Sequence, residues 1–329
     1  MSSLLIVATP ADTPSRTREL VAAAIKAREE GGGDIELLLT GEPAGEDRAA
    51  LVDVGHLLRL EKPLDTQTST EEVLDVITQV CNLRKPALLI LSGDELGLEL
   101  GARLSVRLSA SCVSGCCAFE RAQDGALHYV RPVYGGRALE VLASEAPLTV
   151  VCIKPKAFQS ALPASVPERQ CETLHIKPAG IAASVTRVQS VSTQDSGAAN
   201  LEDAAIIVSG GRGVDGAKGF KQLGELARML GGALGASRAA VDAGWISSAH
   251  QVGQTGKTVA PEIYLAVGIS GAMQHLAGIN AAKRVVAINT DDQAPIFGVA
   301  DVGVVADASE VAVALLDEFK KHLKTNICT

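Results

Sequence analysis

Aromatic residues are scarce in this sequence: Phe, Trp and Tyr together make up 3% of its 329 residues, while Ala, Val, Leu and Gly abound. That mixture suits strands and helices packed closely in layers better than it suits a sandwich or a barrel. A surplus of positive charge is also missing, since 30 Lys and Arg stand against 38 Asp and Glu for a net charge of −8. The basic residues are spread along the chain and form no cationic stripe of the kind that neutralises a phosphate backbone, so nucleic acid is not expected as a partner. No apolar run approaches the ~20 residues needed to span a bilayer. Met1 to Pro10 enters an apolar stretch without a basic leader. The expectation is a soluble, cytoplasmic protein that is not itself membrane-embedded. The seven cysteines, Cys81, Cys112, Cys116, Cys117, Cys152, Cys171 and Cys328, contain no C-x-x-C pair. Being odd in number, they cannot all pair as disulfides. The one cluster, Cys112, Cys116 and Cys117, has no companion cluster and no nearby His. It makes a poor ligand set, so no metal is expected and its members are read as buried small residues.

What is present is a chain 47% hydrophobic and 21% charged, long enough for two domains with ordinary cores. Short apolar runs at Leu4 to Ala8, Ile35 to Leu39 and Ala87 to Leu91 alternate with helical spacing at Glu19 to Arg28 and Glu71 to Leu83. This implies a mainly parallel sheet flanked by helices. Strand-like pieces at Cys117 to Arg121, Leu127 to Tyr134 and Leu148 to Ile153, with turn signals at Asp124-Gly125 and Gly135-Gly136, are expected to extend that sheet antiparallel. Pro155, Pro163 and Pro167 follow, then alternating segments at Cys171 to Lys177 and Val185 to Val191. The small polar stretch Ser192 to Asn200 is the best boundary. The expected fold class is α/β in two domains: an N-terminal α/β domain over 1–195, and a C-terminal doubly wound domain over 196–329.

In the C-terminal part, strand, glycine loop and helix occur twice. Ala204 to Val208 leads into Ser209-Gly210-Gly211-Arg212-Gly213 and a helix from Phe220 to Leu230. Tyr264 to Val267 leads into Gly268-Ile269-Ser270-Gly271 and a helix expected from Ala272 to Ala282. Strands at Val285 to Asn289 and Val302 to Ala306 and a closing helix from Ser309 to Leu323 complete the domain. Glycine after a strand lets backbone amides approach an anion, and the next helix adds its positive end, so phosphate is the natural guest. Neither loop matches G-x-G-x-x-G, and Gly256-Lys257-Thr258 is not a P-loop, because Gln251 stands where that motif needs glycine. Arg238, among small residues, is either a surface ion pair with Asp242 or a cation set against an electron-accepting ring. His275 is either a satisfied structural histidine or a site residue.

Three segments, Ser237 to Asp242, Gly253 to Lys257 and Tyr264 to Gly278 continuing to Val285 to Asn289, resemble the alpha subunit of electron transfer flavoprotein. Gly101 to Leu104 and Arg131 to Gly136 resemble it more loosely. The resemblance implies FAD held by the C-terminal domain, a beta subunit packed on the N-terminal domain, and electrons passed from acyl-CoA dehydrogenase-type flavoenzymes to a membrane quinone oxidoreductase. An NADH-linked electron-bifurcating version is the alternative, and a stand-alone NAD-binding enzyme a remote third. By the same resemblance Arg238 lies against the isoalloxazine, Thr255 near N5 and His275 near the N1/O2 edge, a redox-tuning set. Ser237, Gln254, Gly256, Ser270, Gly271, Gln274, Asn289 and Asp307 complete the implied FAD contacts.

Overall fold

The computed structural model describes residues 3–41, 54–65, 68–136, 138–158, 171–174, 201–202, 204–214 and 216–326. The chain divides into two compact units, Met1–Thr193 and Gln194–Thr329. Val185 to Val191 and the expected boundary Ser192 to Asn200 lie outside the described residues.

The first unit runs β1 (Leu4–Ala8), α1 (Pro14–Gly31), β2 (Ile35–Gly41), β3 (His56–Leu64), α2 (Thr70–Arg84), β4 (Leu88–Ser92), α3 (Glu95–Arg107), β5 (Ser111–Cys116), β6 (Ala118–Arg121), β7 (Leu127–Val133), β8 (Ala138–Leu142), β9 (Thr149–Ile153) and β10 (Cys171–Leu174). Seven strands form one sheet in the order β10-β3-β2-β1-β4-β9-β5, and every neighbouring pair is parallel. Its central strands β1, β4 and β9 are buried at every position because both faces are covered. Ile6 and Ile90 pack with Leu20 and Ala24 of α1, while Leu5 and Leu89 pack with Leu74 and Ile77 of α2. The helices start where side chains satisfy free backbone donors. Thr13 caps α1 ahead of Pro14, Asp94 caps α3, and Ser69 and Glu72 form a reciprocal capping box on α2.

The expected antiparallel extension of this sheet is corrected. β6, β7 and β8 do pair antiparallel, but as a separate three-stranded sheet. β9 enters the main sheet parallel, between β4 and β5. All five residues of β9 are buried, which demands cover on both faces and an interior position. The cysteine expectation is also corrected in part. Cys116 is buried, but Cys117 is half-buried and Cys112 exposed, because Cys112 sits on the edge strand β5.

The second unit contains β11 (Ile206–Gly210), α4 (Ala217–Met229), β12 (Ala233–Ala236), α5 (Arg238–Asp242), β13 (Ile263–Val267), α6 (Met273–Leu276), β14 (Val285–Asn289), β15 (Val302–Val305) and α7 (Ala308–Asn326). Its five-stranded sheet, β12-β11-β13-β14-β15, is parallel throughout. α4 lays Phe220, Leu223 and Leu226 on Val208 and Val267 of the sheet. The helix expected from Ala272 to Ala282 is a single turn, α6. The loop after residue 252 takes over its backbone groups: Gln254 N donates to the Gln274 carbonyl at 2.7 Å and Val259 N to that of Gly278 at 2.8 Å. Among the described residues, no helix is long and apolar enough to cross a membrane.

Candidate functional site

From β11 the chain returns through α4 to β12 on one side of the sheet, then crosses to β13 on the other. The carboxyl ends of β11 and β13 are thus a topological switch point, where an open α/β sheet leaves a crevice for ligands. A cavity of about 520 Å³ opens there, walled by residues between Gly211 and Asn289.

Its floor is made by the two glycine loops, which touch one another. Gly211 N donates to the Val267 carbonyl at 2.9 Å and Gly213 N to that of Gly268 at 3.1 Å. Gly268 has φ +63°, and a Cβ there would lie 2.7 Å from the Gly213 carbonyl carbon. A side chain on either loop would separate them, so glycine is required by the approach as well as by the dihedral. Arg212 lines the cavity beside this floor.

The strand β12 delivers Ser237 and Arg238 to one side. Ser237 N is held by the Gly210 carbonyl at 2.9 Å, while its buried Oγ has no hydrogen-bond partner. Arg238 lines the cavity with its side chain 68% exposed and its Nε 3.4 Å from Asp242 Oδ2. Both expectations for Arg238 are therefore compatible with its position: a loose ion pair, and a cation at the cavity wall.

The loop after β12 supplies Gln251, Gln254 and Thr255. Gln251 Nε2 donates to Thr255 Oγ1 at 2.9 Å, which orients the threonine hydroxyl. From the β13 side come Ser270, Gln274 and His275, and from the end of β14 comes Asn289. Asn289 Nδ2 donates to the Ile269 carbonyl at 2.9 Å and so pins the second glycine loop to the next strand.

His275 is buried, with Nε2 2.9 Å from the hydroxyl of Tyr264. Burial pushes its imidazole down to about 4 against an opposing pull from the Val252 backbone, so the ring is neutral at pH 7. A neutral ring that accepts the Tyr264 proton at Nε2 carries its own proton on Nδ1, and that atom is without a hydrogen-bond partner. Burial likewise pushes the Tyr264 phenol up.

Eight of the residues expected at the site, Ser237, Arg238, Gln254, Thr255, Ser270, Gln274, His275 and Asn289, line this cavity. Gly256, Gly271 and Asp307 do not. Gly256 turns its loop where a Cβ would lie 2.4 Å from the Gln251 carbonyl oxygen. Gly271, at φ +84°, lets Ile296 approach to 2.3 Å of where its Cβ would stand. Asp307 Oδ1 accepts from Ser309 N and Glu310 N at 2.9 and 3.0 Å, capping α7. Sequence reasoning left Gln251 and Arg212 out of the site. Arg212 lay within a loop already read as anion-binding, whereas Gln251 shows itself only through its contact with Thr255.

Known proteins resemble this chain over both units. Residues 10–183 match the electron transfer flavoprotein domain and residues 200–280 match the electron transfer flavoprotein FAD-binding domain. The chain is 36% identical, over 92% of each sequence, to electron transfer flavoprotein subunit alpha of Thermoanaerobacterium thermosaccharolyticum. It is 34% identical to the subunit of the same name from Bacillus subtilis, over 88% of this chain and 89% of that one. With protein FixB of Clostridium saccharobutylicum it shares 37% identity over 77% of this chain and 76% of that one. The cofactor is FAD. The cavity's chemistry fits it, with a floor of glycine loops that no side chain fills, guanidinium groups at Arg212 and Arg238, and the unpartnered buried atoms Ser237 Oγ and His275 Nδ1. On the match over both units, this chain belongs to the electron transfer flavoprotein alpha-subunit family.

Proposed function

We propose that this chain is the alpha subunit of a heterodimeric electron carrier of the cytoplasm, taking electrons from acyl-CoA dehydrogenase-type flavoenzymes and delivering them to a membrane quinone oxidoreductase. The observation that carries the reading is the cavity at the switch point of β11 and β13. It combines a floor of two glycine loops with a wall of polar side chains suited to a flavin ring.

Bound there, FAD supplies one- and two-electron redox chemistry. In this reading Gly211, Gly213 and Ser270 border the pyrophosphate, and Gln254, Gly256, Gly271, Gln274, Asn289 and Asp307 serve the ribityl and adenosine parts directly or by shaping the loops. Arg238 provides positive charge beside the ring, Thr255 Oγ1 a hydroxyl near N5, and His275 Nδ1–H a neutral donor near the N1/O2 edge. Donors and cations at that edge favour the reduced, negatively charged ring over the oxidised one.

The N-terminal domain, 1–195, is assigned the beta-subunit contact, and 196–329 the FAD-binding role. Exposed apolar side chains on or beside the antiparallel sheet of the first unit, Tyr134, Leu139 and Val141, suit a protein partner.

The test is to purify the chain with its beta subunit, measure the flavin-to-protein ratio and titrate with reductant. One FAD per heterodimer, reduced by an acyl-CoA dehydrogenase-type donor and reoxidised by a quinone reductase, is expected. A second FAD reducible by NADH would replace this reading with electron bifurcation. A colourless protein that cannot be reconstituted with FAD, or one holding a nicotinamide cofactor instead, would overturn it.

A further inference from the structure

Neither Cys112 nor Cys152 lines the cavity of the second unit, yet the fold brings these two thiols together. They stand on neighbouring parallel strands, β5 and β9, whose register pairs Cys112 with Val150 and Ser114 with Cys152. Residues two apart on a strand share a face, so both sulfurs project from the same side of the sheet. Against that side packs α3: Cys152 shares a core cluster with Leu100 and Leu104, and its Sγ lies 3.4 Å from the Gly97 carbonyl oxygen. Glycine at position 101 makes room for this sulfur, since a Cβ there would come within 2.4 Å of Cys152 Sγ. The two thiols lie close enough to shift one another's acidity, and Ser105 of α3 acts on Cys112 in the same direction as Cys152.

The pair is asymmetric. Cys112 is exposed on the sheet edge and Cys152 is buried behind it. The neighbouring Cys152 thiol, helped by Ser105 and opposed by partial burial, holds the Cys112 thiol below its ordinary value, which favours its thiolate. Cys152, facing Cys112 and buried, is pushed up. Burial pushes Cys81 and Cys116 up to about 12 and leaves them inert thiols. An accessible thiolate touching a protonated second thiol is the arrangement in which oxidation ends in a disulfide.

We propose that Cys112 and Cys152 are a modification site that reduces a hydroperoxide and closes to a reversible disulfide between β5 and β9. The Cys112 thiolate attacks one peroxide oxygen and the O–O bond breaks. The departing hydroxide takes a proton and leaves as water, with Cys112 oxidised to the sulfenic acid. The Cys152 sulfur then attacks the Cys112 sulfur, the S–O bond breaks, and the hydroxyl leaves as a second water with the Cys152 proton. Two thiols and one hydrogen peroxide thus give one disulfide and two waters. The bond closes a covalent loop around β6, β7 and β8, which lie between the two cysteines in the chain.

This inference is independent of the flavin reading, because its readout is thiol chemistry. The FAD-loaded full-length protein is treated with one equivalent of hydrogen peroxide, alkylated and digested. A Cys112–Cys152 cross-linked peptide that dithiothreitol reverses is expected, and Cys112→Ser should abolish it. Cys152→Ala should leave Cys112 as a sulfenic acid that dimedone captures. In the untreated protein, iodoacetamide at pH 7 should modify Cys112 roughly tenfold or more faster than Cys116. The proposal is overturned if peroxide leaves both thiols free, or carries Cys112 on to the sulfinic acid while Cys152 stays reduced. Should Cys152→Ala fail to fold, the wild-type protein and Cys112→Ser decide the matter by themselves.

Discussion

At the scale of single residues, the site depends on how far each charge is kept from water. The Arg238 guanidinium is 68% exposed and only loosely paired with Asp242, so solvent screens it and its effect on a neighbouring ring is bounded. Arg238→Ala should keep FAD bound and lower the flavin midpoint potential by up to about 60 mV, a tenfold change for a one-electron couple. Potentiometric titration checks this. An unmoved potential would leave Arg238 only its ion pair, and loss of FAD would make it a binding residue.

His275 and Asp12 make opposite predictions for acid. The histidine sits near 4 in the folded protein, against an ordinary value of about 6.5 when unfolded. The unfolded chain therefore binds the proton first as pH falls. Stability from this group is complete above about pH 6.5 and is lost towards pH 4, by roughly 3 kcal/mol in full. In the first unit, burial is the main cause raising the Asp12 carboxyl from 3.8 to about 6. Here the folded state binds the proton first, so stability rises as pH falls from 6 towards 4. Melting curves across pH 4–7 should show His275→Gln flattening the acid loss of the second unit, and Asp12→Asn removing the acid gain of the first.

At the scale of elements, glycine positions carry more of the architecture than their small side chains suggest. Gly271 combines φ +84° with a Cβ position 2.3 Å from Ile296 N. Gly271→Ala should cost the second unit on the order of 1–3 kcal/mol and reduce FAD loading, read from Tm and the flavin-to-protein ratio. A variant with normal Tm and full flavin would remove the loop from the binding argument. In the first unit, Ser69→Ala dismantles the capping box of α2 and should cost about 1 kcal/mol in denaturant unfolding with flavin unaffected.

Elements built on local pattern were legible in the sequence. The strand expected at Val285 to Asn289 is β14 residue for residue, and the apolar run Leu4 to Ala8 is β1, because a strand covered on both faces is written largely in apolar residues. β12, Ala233–Ala236, escaped notice because three small residues and a single Leu carry no strand signal. α6 was expected too long because nothing local announces that a distant loop will take its carbonyls.

At the scale of the whole molecule, every residue that lines the cavity falls within the second unit. FAD should therefore stabilise that unit alone. At a free concentration one hundred times its Kd, its unfolding free energy should rise by about 2.7 kcal/mol, while the first unit's transition stays where it was. Thermal unfolding of the flavin-free chain with and without added FAD, followed by unit-specific proteolysis, measures this. A shift of both transitions together would mean that the two units unfold as one.

The sequence by itself determined the α/β class, the two glycine loops and, through the residues around Arg238, Thr255 and His275, the family and its cofactor. The class and the loops follow from the identity and spacing of residues close along the chain, which periodicity and loop chemistry express, whereas the family and its cofactor follow from the resemblance those segments carry. Only the tertiary structure decided that β9 lies parallel inside the main sheet, that Tyr264 holds His275 Nε2, and that Gly256, Gly271 and Asp307 shape loops and a helix end without lining the cavity. It alone brought Cys112 to Cys152. The placement of β9, the Tyr264–His275 contact, the approach of Gly271 to Ile296 and the cysteine pair are meetings of residues apart in sequence, set by strand register and by which backbone groups a neighbouring loop claims, and no local pattern encodes them.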